Sequence, residues 1–540
     1  MVKIGHVETD GVTAPVEGDY PGDPGSDGRS ILQSILFPVG LEALRKEQAE
    51  QPVCFVDLNL DQVVTDIVGK RDEGVLRPLL YSTYRNEQII RYRQAVFIDL
   101  ERHDVHLVIS RFCEHMSEVR LNLTYAERIS YKRHREMVIL RAIGTYVETI
   151  KALLHGLESL DFHSAGLCNL RQHLITYVSA QPFVALASET DQMRTKLSAI
   201  KYGMLFRGDK VTVRKYASEP DSTAGVLEKF ARFREEDVEQ TVSEQQNNFS
   251  LNHIEAGILE LVGLLFPDVF RSLADYVGQH VRFIDQTIEL FDREVDFYLA
   301  YLAYIAPLKK TGLRFCYPEV SASDKETSVT QSFDLALGAT LLREQTPIIC
   351  NSFHLAGKER MLVVSGPNQG GKTTFARMFG QLHFLAGLGC PVPGHHARLF
   401  LADQLFTHFE REEAIENLRG KLEDELVRLR ESCRAMTANS VIVLNEIFNS
   451  TSLEDQFFLS KKILEKILET DMLAVCVTFI DTLASMSEKS VSMVSTVIPD
   501  DPARRTFEIV RKPADGLAYA LSLAQKRGVT YEQLRVRVRP

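Results

Sequence analysis

The chain has 540 residues, enough for roughly two to four domains, and its 62 Lys and Arg against 73 Asp and Glu give a formal net charge of −11. That acidic balance excludes a surface that is basic throughout, so any DNA contact has to come from a local basic patch. Eight scattered cysteines without a C-x-x-C pair, together with the lack of a signal peptide or of an apolar run long enough to cross a membrane, favour a reducing cytoplasmic location without a membrane partner.

The first part of the chain is predicted to be mostly helical. Residues 1–30 are rich in Gly, Pro and Asp and predict a disordered tail, because they cannot bury enough apolar surface to offset chain entropy. A helical domain is predicted over 31–190, and helical signal returns over 224–329. Within that return, apolar residues at steps of four and three between Pro267 and Pro307 predict one long helix, either in an ordinary bundle or as a projecting lever.

An insertion at 191–223 differs from the helical sequence around it. Two β-prone runs, Tyr202–Arg207 and Val211–Tyr216, flank a Gly-Asp pair and predict a β-hairpin. Basic residues cluster in and beside it: Arg194, Lys196, Lys201, Arg207, Lys210, Arg214 and Lys215. Two interpretations stay open for Arg207, Lys210, Arg214 and Lys215, namely contact with a DNA phosphate backbone or a solvated surface hairpin.

From residue 330 to the end the pattern predicts an α/β domain. Short apolar, β-branched runs at Met361–Ser365, Ser440–Leu444 and Leu473–Thr478 are typical of buried parallel strands separated by helices. The charge run between Lys421 and Arg434 predicts a helix with a solvated face.

A phosphate loop, residues 366–373, matches G-x-x-x-x-G-K-[ST] with the sequence G-P-N-Q-G-G-K-T, between a predicted strand and a predicted helix. Glycines let backbone N–H groups surround phosphate oxygens, and the helix N-terminus adds favourable partial charge. Lys372 is predicted to neutralise the β- and γ-phosphates and Thr373 to ligate Mg²⁺. The predicted ATP-binding residues are Gly366, Pro367, Asn368, Gln369, Gly370, Gly371, Lys372, Thr373 and Thr374.

A second polar element follows the apolar run that ends at Leu444. Glu446 stands where a carboxylate can orient or deprotonate the attacking water and is the predicted catalytic residue. Asn445 occupies the place of the usual Asp that holds Mg²⁺ through water. Its amide oxygen can still accept that hydrogen bond but carries no charge, which predicts weaker metal affinity or slower turnover.

These motifs resemble those of the MutS DNA mismatch-repair family. The phosphate loop is similar to the family's T-G-P-N-M-G-G-K-S, residues 389–393 to G-x-x-V-P-A, and residues 406–407 to I-F-T. Residues 445–452 lie on D-E-x-G-R-G-T-S, and residues 515–520 resemble a later segment of the dimer-forming end. The resemblance is dense over 330–540 and diffuse before it.

The resemblance implies a fold and an assembly. It implies an ABC-type P-loop NTPase domain over 330–540 with C-terminal dimerisation helices, preceded by a helical lever and a clamp that includes the 202–216 hairpin. It also implies a homodimer in which Ser450, Thr451 and Ser452 complete the partner's nucleotide site. ATP and Mg²⁺ are the implied cofactors, and DNA is the implied partner.

The chain departs from the family pattern at several points. Phe479 stands where the family has a histidine and cannot sense a γ-phosphate as a histidine could, and Asn449 replaces an arginine. The family's mismatch-reading domain with its F-x-E signature is not recognisable, so branched or recombining DNA, or a protein target, is favoured over mismatches.

Two other functions compete with a DNA-binding ATPase. An SMC-type ATPase is disfavoured, because such proteins insert a long coiled coil between the two nucleotide motifs, whereas here only 73 residues lead from Lys372 to Asn445 (445 − 372 = 73). An ATP-gated structural or regulatory module with little turnover stays open, because Asn445 and Phe479 both depart from the catalytic pattern.

Overall fold

The computed structural model describes residues 32–46, 48–207, 210–217, 251, 253–410, 420–498, 501–513 and 535. The predicted tail 1–30, the first part of the helical stretch expected to resume at 224 (residues 224–250), and the predicted dimerisation segment 515–520 lie outside the described residues. Across the described part of the chain, no helix is long and apolar enough to cross a membrane.

A helical body precedes the sheets. Its helices within the described residues are α1 Cys54–Leu58, α2 Leu60–Val68, α3 Glu73–Tyr81, α4 Glu87–Glu101, α5 His103–Arg128, α6 Lys132–Glu158, α7 Ala165–Ser179, α8 Gln181–Ser198, α9 His253–Leu265, α10 Pro267–Gln279 and α11 Gln286–Lys310. Helix α11 is buried along most of its length and packs against α2, α3, α4 and α5. The buried apolar side chains of the body and those beneath the main sheet therefore form one continuous core.

The predicted hairpin is present. Strands β1 (Tyr202–Arg207) and β2 (Lys210–Lys215) pair antiparallel, with Tyr202 opposite Lys215 and Arg207 opposite Lys210. The second strand begins one residue earlier than the sequence pattern predicted.

The single long helix predicted between Pro267 and Pro307 is wrong. The structure has two helices, α10 and α11, and the chain leaves helical geometry between them. Asp285 starts the second helix by accepting the N–H groups of Thr287 and Ile288 at 3.0 and 3.1 Å. The apolar period continues through the break because both helices bury one face in the same core. Val281, which the period placed on the buried face, lies in the break and is 73% exposed.

Three further sheets contain the remaining described strands. These strands are β3 Phe315–Cys316, β4 Glu319–Ser321, β5 Thr327–Ser332, β6 Asn351–Leu355, β7 Met361–Ser365, β8 Val392–Pro393, β9 His396–Phe400, β10 Leu405–Phe409, β11 Val441–Asn445, β12 Leu473–Val477, β13 Ser490–Ile498 and β14 Asp501–Arg511. The helices between them are α12 Leu335–Arg343, α13 Lys372–Leu388, α14 Lys421–Ala435 and α15 Leu453–Thr470. Residue 330, the predicted domain boundary, lies inside β5, whose sheet already contains β4.

The main sheet has six strands in the order β10-β11-β12-β7-β13-β14. The first five are mutually parallel, and β14 returns antiparallel to β13. Along β11, Val441 and Val443 face the core shared with α13, whereas Ile442 and Leu444 face a second core that contains residues of α14 and α15. The central strands are thus buried on both faces, which explains their continuous apolar sequence.

A buried arginine joins the helical body to the carboxyl end of α13. Arg93 on α4 is 2% exposed and donates to the carbonyl oxygens of Leu36 and Leu388 at 3.1 and 2.9 Å. Its guanidinium also lies 4.7 Å from the centroid of the Tyr84 ring. A cation at the last carbonyls of a helix stabilises the helix dipole, so Arg93 fixes the end of α13 opposite to its N-terminus.

Candidate active site

The phosphate loop connects β7 to α13 and takes backbone conformations that favour glycine. Gly366, Gln369 and Gly371 have φ of 117°, 60° and 88°. Left-handed residues that alternate with others turn successive N–H groups toward a common centre, the arrangement that binds anions. A Cβ on Gly370 would clash with Ser495 Oγ, so a larger residue there would displace the Ser495 hydroxyl from the phosphate loop.

Lys372 is the first residue of α13 and is 4% exposed. Its Nζ donates to the carbonyl oxygens of Gly366 and Pro367 at 3.0 and 3.1 Å, and it lies 4.3 Å from the centroid of the Phe479 ring. Burial lowers the pKa of Lys372, and the carboxylate of Glu446 opposes that shift. The ammonium is therefore held inside the loop, at the place where phosphate would be bound.

The two predicted magnesium ligands lie together. Thr373 Oγ1 on α13 donates to Asn445 Oδ1 at the end of β11, across 2.9 Å. Mg²⁺ prefers oxygen ligands and keeps several waters and phosphate oxygens when it binds with a nucleotide, so a hydroxyl and an amide oxygen fit such an ion. Within the described residues no cluster of three His, Cys, Asp or Glu could hold a metal by itself.

Glu446 follows β11 with a positive φ of 54°. Its N–H donates to the carbonyl oxygen of Val477 at the end of β12, at 2.9 Å. Burial raises the pKa of the Glu446 carboxyl, whereas Lys372 partly offsets the shift and Glu410 adds to it. A carboxylate with a raised pKa is a better proton acceptor at neutral pH than an ordinary glutamate.

The predicted trans residues form an exposed turn before α15. Ser450 and Ser452 are exposed and Thr451 is half-buried. Ser452 caps α15, since its Oγ accepts the N–H of Asp455 at 3.2 Å. The structure therefore places this turn at the surface, with Ser450 accessible to another molecule.

The structure adds residues that the sequence interpretation missed. Arg505 on β14 donates from Nε to the carbonyl oxygen of Asn368 at 3.1 Å. Ser495 on β13 donates to the carbonyl oxygen of Gly370 at 2.7 Å. Both contacts join segments more than 120 residues apart, so no local motif could have indicated them.

Two of the hairpin residues predicted to contact DNA have described side chains, and the contacts described above for the phosphate loop and Glu446 do not include them. Arg214 and Lys215 are exposed on β2, and the Lys215 ammonium lies 5.7 Å from the centroid of the Phe266 ring. Arg207 and Lys210 face each other across the hairpin end by backbone pairing, and their side chains lie outside the described residues.

Comparison with known proteins gives one family. The family described as MutS domain V matches residues 362–529, which include the phosphate loop, Glu446 and the following turn. The chain is 29% identical over 187 residues to "Endonuclease MutS2" of Thermus thermophilus. It is 25% identical over 303 residues and 26% identical over 276 residues to proteins named "DNA mismatch repair protein MutS" from Lachnoclostridium phytofermentans and Chlorobium phaeovibrioides.

These matches are partial on both sides. They cover 34%, 54% and 50% of this chain and 25%, 30% and 30% of the respective relatives. The chain therefore spans less than a third of the length of these curated relatives. The family match lies in the region of the candidate site, and none of these matches by itself assigns a whole-protein activity.

Proposed function

We propose that this chain, whose residues 362–529 match MutS domain V and which is similar to proteins named MutS and MutS2, is a Mg²⁺-dependent ATPase that binds DNA as a homodimer. Its C-terminal part would be an ABC-type P-loop NTPase domain, with β12 lying between the strands that end in the phosphate loop and in Glu446. The observation that carries the proposal is the convergence of Lys372, Thr373, Asn445 and Glu446 at one end of the parallel sheet. Steady-state phosphate release from ATP and Mg²⁺, with and without DNA, tests it.

Each described side chain of the site has a separate role in the proposed hydrolysis. Lys372 and the loop N–H groups bind the phosphates, and Thr373 and Asn445 would hold Mg²⁺, which stabilises negative charge on the transferred phosphoryl group. Glu446 orients the attacking water and accepts its proton. Because Lys372 contacts its own loop carbonyls and the Phe479 ring, nucleotide binding has to redirect its ammonium toward phosphate.

The dimer proposal rests on the surface around Ser450. Leu453 and Phe458, at the start of α15, are 70% and 60% exposed and follow directly after this turn. Apolar side chains of this size at the surface are typical of an interface. A second copy of the chain would cover them while presenting its own Ser450 to the first copy's nucleotide.

Mixing two inactive variants tests this assembly. We expect Lys372→Ala and Ser450→Arg each to lose ATPase activity alone, because one removes the phosphate cation and the other blocks the contact with the partner's nucleotide. An equimolar mixture is expected to recover about one quarter of wild-type activity, since half of the dimers are mixed and each has one intact site of two. The measurement is phosphate release after subunit exchange.

The matched control is each variant mixed with itself, which recovers nothing. Sedimentation of the wild-type chain gives the decisive second result. A chain that stays monomeric at micromolar concentration with ATP and Mg²⁺ would contradict the composite site.

The DNA proposal assigns the hairpin to a clamp and α10 with α11 to the lever that connects it to the ATPase domain. The basic hairpin would contact phosphates without reading sequence. Replacing its basic residues by glutamine is expected to weaken DNA binding equally for all sequences and to lower the slope of log affinity against log salt by about 1 per lost contact. The four residues are Arg207, Lys210, Arg214 and Lys215.

Electrophoretic binding to duplex, mismatched, single-stranded and four-way-junction DNA across a salt series measures both effects. The four-way junction is expected to bind best, in line with the proposed branched substrate. A control variant removes the same number of charges on the ATPase domain, at Lys358, Lys461, Lys462 and Lys466. If the hairpin variant keeps the DNA affinity and the salt slope of the wild type, the hairpin is only a solvated surface element.

A second candidate function is an ATP-gated module that binds nucleotide with little turnover. It is favoured by two observations in the site: Asn445 offers Mg²⁺ a neutral oxygen, and Lys372 already has partners within its own loop. Nucleotide binding without phosphate release would select this function over the ATPase.

A further inference from the structure

The ATPase domain contains a buried charged pair that the proposed mechanism does not use. Glu425 on α14 and His408 on β10 are 3% and 2% exposed, and His408 Nε2 lies 3.4 Å from Glu425 Oε1. The charge run of α14 predicted a solvated helix face, and Glu425 is an exception to it. A buried carboxylate is costly unless it is paired and hydrogen-bonded, so its partners indicate what it does.

Its second partner is the turn that carries Glu446. The same oxygen, Glu425 Oε1, accepts the backbone N–H of Phe448 at 2.9 Å. Burial raises the pKa of the Glu425 carboxyl, but the bonds from His408 and Phe448 outweigh it and hold the pKa below its usual value. An anion at this place binds the N–H more strongly than a neutral acceptor would.

The turn needs such support because its backbone is unfavourable. Glu446 and Phe448 have φ of 54° and 58°, in the left-handed region that side chains other than glycine rarely adopt. Such residues persist only where the surrounding structure constrains them. Two left-handed residues in three consecutive positions set the direction of the Glu446 side chain and the path into the turn at Ser450.

Other contacts hold the residues around Phe448. Gln456 on α15 donates to the carbonyl oxygen of Ile447 at 3.0 Å. Asn449 Nδ2 donates to Glu410, beyond the end of β10, at 2.6 Å. These two partners are polar side chains near the surface, whereas Glu425 is the buried support of the turn.

We propose that Glu425 is a positioning residue for ATP hydrolysis, which fixes the turn 446–450 through the N–H of Phe448 and so aims the Glu446 carboxylate at the attacking water. His408 fixes the carboxylate of Glu425 from the other side. This proposal rests on the proposed ATPase function. It assigns to α14 a role in catalysis without contact with the nucleotide.

Two conservative variants distinguish the effect of the length of the Glu425 side chain on kcat from the effect of its charge. Glu425→Gln keeps an oxygen at the same distance for the Phe448 N–H and is expected to retain kcat within about threefold. Glu425→Asp keeps the charge but withdraws the carboxylate by one methylene, and is expected to lower kcat by about tenfold or more, the scale of a misplaced catalytic group. The KM for ATP is expected to change less than about twofold in both, because neither alters the phosphate loop. Steady-state phosphate release across an ATP titration gives both constants.

A control variant and a structural measurement complete the test. Glu423→Asp makes the same change at an exposed position of α14 and is expected to match wild type. Hydrogen–deuterium exchange is expected to rise in peptides that contain 446–450 in Glu425→Asp alone. A general loss of folding in Glu425→Asp, seen as exchange rising throughout the domain, would overturn the positioning role in favour of a structural one.

The remaining outcomes are also decisive. Glu425→Asp with wild-type kcat, or Glu425→Gln as impaired as Glu425→Asp, would overturn the proposal while leaving the ATPase function intact. A wild-type chain that releases no phosphate would instead overturn the ATPase function, and the positioning role would fall with it.

Discussion

Replacing Lys372 by alanine is expected to lower ATP affinity by about 100-fold or more, since a charge-assisted contact of this kind contributes up to about 3 kcal/mol and each 1.4 kcal/mol is tenfold. Lys372 is the only side-chain cation of the phosphate loop, and the rest of that loop can offer only backbone and neutral groups. Calorimetric titration with ATP and Mg²⁺ measures the loss.

The variant is also expected to fold. The Lys372 ammonium bonds only to the loop carbonyls of Gly366 and Pro367 among the described hydrogen-bond partners, so its removal leaves the core beneath α13 in place. Lys358→Ala is the matched control, because it removes an exposed lysine paired with Glu488 just before β7. Near-normal ATP affinity in Lys372→Ala would contradict the assignment of the phosphate loop.

Replacing Glu446 by glutamine is expected to leave ATP binding intact and to lower the hydrolysis rate by about 100-fold or more, the usual scale for a lost general base. Glutamine keeps the size of the side chain and tolerates the same backbone, but it cannot accept the proton of the attacking water. Neither Asn445 nor Thr373, the other polar groups described beside the metal position, can replace it as a base. Single-turnover hydrolysis measures the effect without contribution from product release.

Glu469→Gln is a suitable control, because it makes the same substitution on an exposed turn of α15 near Lys466. An unchanged rate in Glu446→Gln would remove Glu446 from catalysis and leave the attacking water to another group. A parallel loss of ATP affinity would show that the glutamate acts in binding rather than in the chemical step.

The parts of the site that lie close together in sequence could be predicted. A phosphate loop is one strand, one turn and one helix start, so the required glycines and Lys372 fall within eight residues and carry their own pattern. The acidic position also follows from local sequence, because Asn445 and Glu446 come directly after an apolar run that is typical of a buried strand. The structure brings Thr373 within hydrogen-bond distance of Asn445, as a shared role at one metal ion requires.

Contacts between distant segments could not be predicted in this way. Ser495 and Arg505 reach the phosphate loop only because β13 and β14 extend the sheet beside β7. Glu425 stands in a run of charges that looks uniformly solvated, and only the packing of α14 against β10 and the turn at Phe448 shows that it is buried.

The prediction of one long helix between Pro267 and Pro307 failed for a different reason. Hydrophobic period reports which face is buried and not whether the backbone is continuous. The chain between α10 and α11 keeps the period while Asp285 begins a new helix, held by His173 at 3.1 Å and by the hydroxyl of Tyr146 at 3.1 Å. These partners are more than 100 residues away in sequence, so the residues next to the break give little indication that the helix ends there.

The central claim is that this chain hydrolyses ATP at the site formed by the phosphate loop and Glu446. It is tested most directly by phosphate release from the purified 540-residue chain with ATP, across a Mg²⁺ titration and with and without four-way-junction DNA, against Lys372→Ala as background. We predict release that requires Mg²⁺ and exceeds the background by about tenfold or more, as for a modest enzyme of this kind. Release equal to the Lys372→Ala background at every Mg²⁺ concentration, with and without DNA, would contradict the claim and leave an ATP-gated module as the function of this site.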